Sequence, residues 1–515
     1  MKTPFLVCAI ILIQLTNGIF AQPGALDLSF GENGKVVTGN GAVSSVGHSV
    51  LIQPDKKIVV IGNCFEGGVS RDFLIIRYNP DGSPDTSFGL NGIVRMLISS
   101  VEDFASSAIL QPDGKIIAAG YSWNGKDLDF TMVRYLSDGS RDASFGNGGI
   151  VTTDFGGNRD KANQIILQTD GKIVMVGATG KTDYTDQDVA IARYETSGAL
   201  DHSFDLDGKI ELSMGEPGFW QSAKGVAIQN DGKIVITGYT ENFDTTKQYI
   251  EVHFLLLRIN PDGTLDHSFS DHGVAITPIG KDDGSTSVVI LSNGKILQLG
   301  NVNFELGDSS DMCLVQYNSD GTRDNSFGNE GKVMMSFTDF EETGYTLLLQ
   351  NDQKILVAGA VCVDSSDNQD FFVARFHSNG LLDHTFGSMG KVTTDFFEDS
   401  DVARDMALQT DGQLVVAGYT TKGNGFDVGV VRYSNDASLP VDLLQFNAKP
   451  DEYNVVLNWT TGWEKNSGYF EIERSNSGTI WQSIGRVNAN VDSEVKQVYH
   501  YSDLDPFFGR SYYPA

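Results

Sequence analysis

Asn79-Pro-Asp-Gly-Ser-Pro-Asp-Thr-Ser-Phe-Gly89 decides the reading of this chain, because its core keeps returning. The Ser-Phe pair ends at Phe30, Phe88, Phe145, Phe204, Phe269 and Phe327, and recurs as Thr385-Phe386. Successive phenylalanines stand 58, 57, 59, 65, 58 and 59 residues apart. A fixed period of this length marks a repeat architecture in which each unit buries its apolar face against the next. Three residues before each phenylalanine stands an aspartate: Asp27, Asp85, Asp142, Asp201, Asp266, Asp324 and Asp383.

Working outward from the motif, each unit holds four short strand-like runs. In the second unit these are Gly92–Leu97 (strand a), Ser107–Gln111 (b), Lys115–Gly120 (c) and Asp129–Tyr135 (d), each rich in aliphatic side chains and bounded by turn residues. Asp113-Gly114 joins b to c. Asp170-Gly171, Asp231-Gly232, Asn293-Gly294 and Asp411-Gly412 repeat it. Asp-Gly and Asn-Gly accept the positive φ angles of tight hairpins, so b and c pair antiparallel. Asp55-Lys56 and Asp352-Gln353 depart, placing a non-glycine residue where positive φ is costly. Seven four-stranded antiparallel sheets leave edges and faces exposed unless they close radially. The fold expected is an all-β, seven-bladed β-propeller, favoured over a solenoid or an array of sandwiches. If a blade takes strand a from the following unit, first and last units share one blade and lock the ring. A blade made of one whole unit is the other option.

Strand d carries an aspartate and, five residues on, an arginine: Asp72 and Arg77, Asp129 and Arg134, Asp188 and Arg193, Asp370 and Arg375, Asp427 and Arg432. The fourth unit has His253 with Arg258, and the fifth Asp311 with Gln316. Residues five apart on an unbulged strand face opposite ways, so each is expected to make its own structural hydrogen bonds. Seven copies also argue against catalysis, which needs one asymmetric constellation. The repeated Asn-x-Asp-Gly-x-x-Asp resembles a calcium loop but lacks the alternating ligand positions and distal glutamate of an EF-hand. Turn-capping by aspartate is preferred, with the phenylalanine as a plug between sheets. No cofactor is expected, calcium being the one ion left open at these loops.

Function is expected where the units differ. In an up-and-down meander the a–b and c–d loops emerge on one face, and these are the variable ones. They carry Trp123, Tyr184, Trp220, Phe243, Tyr249, Asp282 and Glu341, the candidate ligand-binding residues, and unit four adds an insert from Thr240 to Glu251. Aromatics beside carboxylates suit a glycan or a protein surface. Drifting loops collect such residues without a ligand as well. The eight histidines are scattered, and neither a zinc-protease helix motif nor a nucleophile elbow occurs.

The chain has 37 basic and 67 acidic side chains, a formal charge of −30, which disfavours nucleic acid. Lys2, the apolar run Phe5–Leu15 and Gly18-Ile19-Phe20-Ala21 read as an export signal (residues 1–21) cut after Ala21, the run being too short to span a bilayer. Location is therefore secreted or at the cell surface. Cys64, Cys313 and Cys362 remain, too few for a disulfide framework.

Leu-Asp-x-Ser-Phe-Gly, Gly-Lys-Val, Gln-x-Asp-Gly-Lys-Ile and Asp-Phe-x-x-x-Arg-Tyr, recurring in order from Ala25 to Tyr433, resemble the delta-60 repeat of exported bacterial proteins. That resemblance implies a propeller-like fold and no reaction. The propeller is assigned to residues 22–437 and a linker to 438–440. Residues 441–515, with Val455-Val-Leu-Asn-Trp459 and Tyr469-Phe-Glu-Ile-Glu-Arg-Ser475, read as an incomplete β-sandwich. They resemble the fibronectin-like module of type IX secretion substrates, here without its sorting tail, as in a truncated chain. The leading expectation is a non-enzymatic, monomeric binding or scaffold protein whose partner is a surface glycan or protein. Type IX machinery joins the partners if the full chain carries a sorting tail. A polysaccharide hydrolase or lyase using loop carboxylates, and a purely structural spacer, are the alternatives.

Overall fold

Each hairpin turn takes the conformation its residues dictate. Gly114, Gly171, Gly232, Gly294 and Gly412 lie at φ between 81° and 86°, while Lys56 and Gln353, in the two departing copies, are forced to 65°. The computed structural model describes residues 6–9, 22–39, 44–66, 70–156, 159–180, 186–214, 218–244, 249–304, 310–338, 340–363, 368–397, 399–423, 425–435, 441–451, 454–465, 469–475, 482–489, 492–493, 495–507 and 510–513. These residues form strands and turns only, so none of them belongs to a helix long and apolar enough to cross a membrane. They fall into two compact units, Gln22–Asn435 and Met1–Ala21 with Asp436–Ala515. The expected linker, 438–440, lies outside the described residues.

The first unit is a seven-bladed propeller. Its first blade pairs Ser44–Ile52, Ile58–Glu66, Ser70–Tyr78 and Ile93–Met96 in that order, all antiparallel. The fourth strand thus comes from the following unit. The rule holds round the ring, and the last blade, Asp401–Leu408, Leu414–Lys422 and Gly425–Tyr433, is completed by Lys35–Thr38 from the start of the chain. First and last units therefore share a blade, which settles the register that the repeat left open. The b strands touch their counterparts in neighbouring blades and line the axis, leaving the a strands outermost. Blades four and five also join directly, through Val252 and Asp282.

The repeated motif interlocks successive units. Asp85 Oδ1 accepts the Ser87 amide at 3.0 Å and hydroxyl at 2.6 Å, the geometry of an aspartate turn, while Oδ2 takes Arg77 Nε at 2.7 Å. Arg77 lies 4.4 Å over the Phe88 ring and donates to Ser137 O in the next copy of the motif. Gly139 of that next copy, at φ 86°, packs on Phe88. A Cβ there would stand 3.0 Å from the ring, so only glycine meets both demands. The arginine of strand d is thus bonded to the aspartate eight residues on. The lysine at the start of strand c reaches the same aspartate, Lys172 Nζ to Asp201 at 2.8 Å, and in unit five, where Gln316 replaces arginine, Lys295 Nζ keeps that contact with Asp324 at 2.6 Å. Phe30, Phe88, Phe145, Phe204, Phe269, Phe327 and Phe386 are all buried. So are Cys64, Cys313 and Cys362, which form no disulfide.

In the second unit Val441–Asp451, Asn454–Lys465 and Gln497–Asp503 form one antiparallel sheet, with Asp492–Ser493 at its edge. Tyr469–Arg474 and Gln482–Asn488 form a hairpin. Trp459, Phe470 and Tyr499 pack between them, and Leu6–Ala9 runs parallel to Arg510–Tyr513.

Candidate functional site

A β-bulge recurs near the start of every inner strand, on the side of the variable loops. The extra residue is, blade by blade, His48, Ser106, Asn163, Lys224, Thr286, Tyr345 and Arg404. Where that residue is short and polar it stitches the ring. Ser106 Oγ donates to Ala162 O at 2.8 Å, Asn163 Nδ2 to Ala223 O at 2.7 Å, and Thr286 Oγ1 to Gly344 O at 3.0 Å, each on the next blade's inner strand. The four long side chains break the sevenfold symmetry.

Contacts among these four and their neighbours run round six of the seven blades. The Arg404 guanidinium stands 4.0 Å from the Tyr345 ring and 5.5 Å from that of Tyr419. His48 meets Phe104 at 4.8 Å, Phe104 stacks on Tyr121 at 5.1 Å, and Arg71 lies over Phe104. Lys161 sits 4.9 Å from Tyr121, and Lys224 5.6 Å from Tyr239. Enclosure and the cations beside it pull the His48 pKa down to about 3: burial contributes most, then Arg404 and Arg71, so the ring is neutral at pH 7. Burial, then Lys161, lowers Lys224 to about 8. Arg404 Nε is buried without a hydrogen-bond partner among the described residues. Asp405, next to it, is committed to structure: it accepts the Val50 amide at 2.9 Å, Ser49 Oγ at 3.0 Å and Thr346 Oγ1 at 3.3 Å, tying three blades together. Within a strongly acidic protein, cations and aromatic faces are thus gathered at the axis.

Of the loop residues expected from sequence, Trp220, Phe243, Tyr249 and Asp282 lie on blade four and the adjoining start of blade five, and Trp123 and Glu341 lie on other blades. Trp220, 41% exposed, and Phe243, 39% exposed, lie on blade four, where the long hairpin Ile234–Asp244 with Tyr249–Ile259 pairs Phe243 with Ile250 and Asp244 with Tyr249. The exposed Asp282 starts blade five, half-buried Trp123 belongs to blade two and exposed Glu341 to blade six. Tyr184 lies outside the described residues. Trp220 and Glu241 exchange backbone and side-chain hydrogen bonds, and Lys281, next to Asp282, stands 5.8 Å from the Tyr249 ring.

Sequence reading missed the bulge residues. It began strand b at Ser107, one residue after the bulge, because the extra residue breaks the two-residue alternation there. The variable residue type just before a regular strand was the signal that could have found them.

Comparison with known families bears on the same division between shared scaffold and varied ring. The model described as "Domain of unknown function (DUF5122) beta-propeller" matches residues 53–88, 111–145, 168–204, 229–269, 291–327, 350–386 and 409–439. The chain carries seven DUF5122 beta-propeller repeats. Each matched segment takes in strands c and d, and all but the last run on into the Ser-Phe motif; all seven bulge residues fall outside them. What the DUF5122 repeats have in common is therefore the interlocking scaffold. No curated protein matches the sequence. Among solved structures, a protein of unknown function from Dyadobacter fermentans is 12% identical, covering 78% of this chain and 98% of its own, with a TM-score of 0.44. An α-L-arabinanase from Penicillium chrysogenum is 13% identical over 63% and 92%, TM-score 0.40. The polysaccharide lyase Uly1 is 9% identical over 78% and 90%, TM-score 0.33.

Proposed function

We propose that the propeller is a binding module that takes an acidic glycan, a chain of carboxylated or sulfated sugars, at the axial mouth of its variable face. The observation that carries this is the asymmetric ring of Arg404, Tyr345, His48, Phe104, Tyr121, Lys161 and Lys224. Cations held over aromatic faces offer a sugar chain a charge partner and a flat surface together. The net charge of −30 opposes such a ligand at long range, but that repulsion is screened beyond about 8 Å at physiological salt, inside which the local cations dominate. An exported chain would meet such a glycan, and export is proposed from the N-terminal run, whose cut after Ala21 would leave Gln22, the first residue of the propeller unit. The second unit is proposed to be the fibronectin-like module of a type IX substrate, its Trp459 core being that of a small β-sandwich.

The full chain is expected to bind polygalacturonate and not a neutral glucan, with affinity that falls as salt rises. Arg404→Ala and Lys224→Ala are each expected to weaken binding about tenfold, the loss of roughly 1.4 kcal/mol, whereas Trp220→Ala leaves it unchanged. Binding lost with Trp220 and kept without Arg404 would move the site to the rim of blade four.

A second reading, eliminative cleavage of the same class of glycan, rests on neutral His48 beside Arg404, a proton acceptor next to a carboxylate-neutralising cation. It predicts the ultraviolet absorbance of an unsaturated uronate on incubation, abolished in His48→Ala. Binding without that absorbance leaves the binding module.

A further inference from the structure

At the junction of blades two and three, Asp129, Asp154 and Asp160 each place a carboxylate oxygen within 4.8 Å of the others. The repeat reproduces the arrangement at the junction of blades six and seven, with Asp370, Asp395 and Asp401. The three positions are the same in both: the acid of strand d, the residue after strand a, and the acid in the inner strand before its bulge. Elsewhere the middle position holds Leu97, Ser213, Pro278, Ser336 or Gly39, so these two junctions alone assemble three acids. At the seventh junction a Cβ on Gly39 would lie 2.9 Å from Asp427 Oδ1, which shows that a side chain at this position meets the strand-d carboxylate.

Buried oxygens are left over at both trios. Asp160 and Asp401 are fully buried. Each spends Oδ2 on a loop amide, Phe155 at 2.7 Å and Phe396 at 2.6 Å, and each leaves Oδ1 without a hydrogen-bond partner among the described residues. Asp129 Oδ1, also buried, is in the same state. Thr179 faces Asp160, and Thr420 faces Asp401, without completing a hydrogen bond. Lys209 donates to the main-chain oxygen of Asp154, the Gly156 amide donates to Asp154 Oδ1 at 2.6 Å, and Asn124 Nδ2 donates to Asp129 Oδ2 at 2.9 Å. A buried carboxylate with an unmet lone pair is costly, and the acids gathered beside it add repulsion that a cation removes.

We infer that the two trios are a pair of divalent-cation sites, one at each junction, and that the ion is calcium. All-oxygen, carboxylate donor sets select hard cations over zinc or copper. Two oxygens each about 2.4 Å from one calcium ion stand at most about 4.8 Å apart, and the oxygens of each trio lie within that limit. Calcium accepts irregular oxygen cages, as three carboxylates on separate elements provide, whereas magnesium demands near-ideal octahedral geometry. Main-chain carbonyls and water would complete the six to eight ligands that calcium takes. These sites are separate from the Asn-x-Asp-Gly-x-x-Asp loops, whose aspartates are committed to serine and arginine.

The test is titration calorimetry of the full chain, stripped with chelator, against calcium chloride. The expected stoichiometry is two ions in the parent, one in Asp154→Asn, one in Asp395→Asn and none in the double variant. Asp154 and Asp395 are the exposed members, so their substitution leaves the blade cores intact. Thermal unfolding gives a second reading: calcium is expected to raise the midpoint of the parent and not that of the double variant. No calcium binding, or a stoichiometry that the double variant leaves unchanged, overturns the inference.

Discussion

Asp383→Ala is expected to cost the propeller about 3–5 kcal/mol, the penalty for stripping a buried ion pair of one partner. Arg375 is the largest of the fully buried side chains. Its Nε lies 2.9 Å from Asp383 Oδ2, its guanidinium covers the Phe386 ring at 4.8 Å, and it donates to Asn435 O and to Thr385 Oγ1. Removing the carboxylate takes from the buried cation the counter-charge that lies 2.9 Å from its Nε, and frees the Thr385 amide and hydroxyl held by Asp383 Oδ1. A falling urea midpoint with unchanged slope measures the effect. Asp383→Asn, which keeps an acceptor in place, is expected to lose less. Asp324→Ala is the comparison: it frees the Ser326 amide and hydroxyl in the same way, but its cation is the partly exposed Lys295 and not a buried arginine, so the loss is expected to be smaller, about 1–2 kcal/mol. Equal losses at 383 and 324 would contradict the role given to the buried arginine.

The same pairs set an acid limit. Burial alone would raise Asp383, but the Thr385 hydrogen bonds, Arg375 and Lys354 outweigh it and hold the carboxyl at about 2. Asp142 is held at about 2 likewise, by Ser144 above all and against burial, with Arg134 adding to the effect. A carboxyl whose folded pKa lies below its ordinary 3.8 lends stability that is fully present above that value. It is lost as pH falls toward 2, because the unfolded chain takes up protons first. Unfolding midpoints are therefore expected to drop between about pH 4 and pH 2, and to do so less in Asp383→Asn, which has no proton to gain there.

Sequence carried the blades and not the site, for a physical reason visible in single residues. The hairpin glycines and the Ser-Phe plug impose local geometry wherever they stand, so their recurrence announces the sheets. Arg77 and Asp85 lie in one unit yet meet only because strand d turns back through the motif; spacing along the strand set Arg77 on the face away from Asp72 but could not name Asp85 as its partner. The axial ring is further removed still. Tyr345, Arg404 and His48 are contributed by blades six, seven and one, and closure of the ring alone brings them together. Their bulge position has no residue type of its own, being short and polar in three blades and long in four, so no motif marks it. Trp220 and Phe243 stood out in sequence because large aromatics in a long loop are conspicuous, which says nothing about convergence.

Removal of residues 22–43 is expected to abolish cooperative unfolding of the propeller, a larger effect than any single substitution. Lys35–Thr38 is the outer strand of the last blade, paired through Val428–Val431. With it go Phe30, fully buried against Val415, Val428 and Val430, and the Asp27 carboxylate that meets Arg432 Nε at 2.8 Å. Loss of a buried phenylalanine alone costs about 3–5 kcal/mol, and the deletion also leaves Arg432 without its carboxylate and the Tyr78 hydroxyl without Thr38, 2.6 Å away. The bonds from Asp27 to Arg432 O and from Ser434 to Ala25 O, which tie the two ends of the propeller, vanish too. Gly425–Tyr433 becomes an open edge with an apolar face, the arrangement that recruits strands from other molecules. The shortened chain is therefore expected to unfold in a broad transition and to associate. A peptide spanning Gln22 to Gly39, added in trans, is expected to restore a sharp transition by refilling the edge, and the same peptide carrying Phe30→Ala is not. A sharp transition in the shortened chain by itself would mean that seven blades close without the shared strand, and that the interlock between motifs, not the exchange of strands, holds the ring.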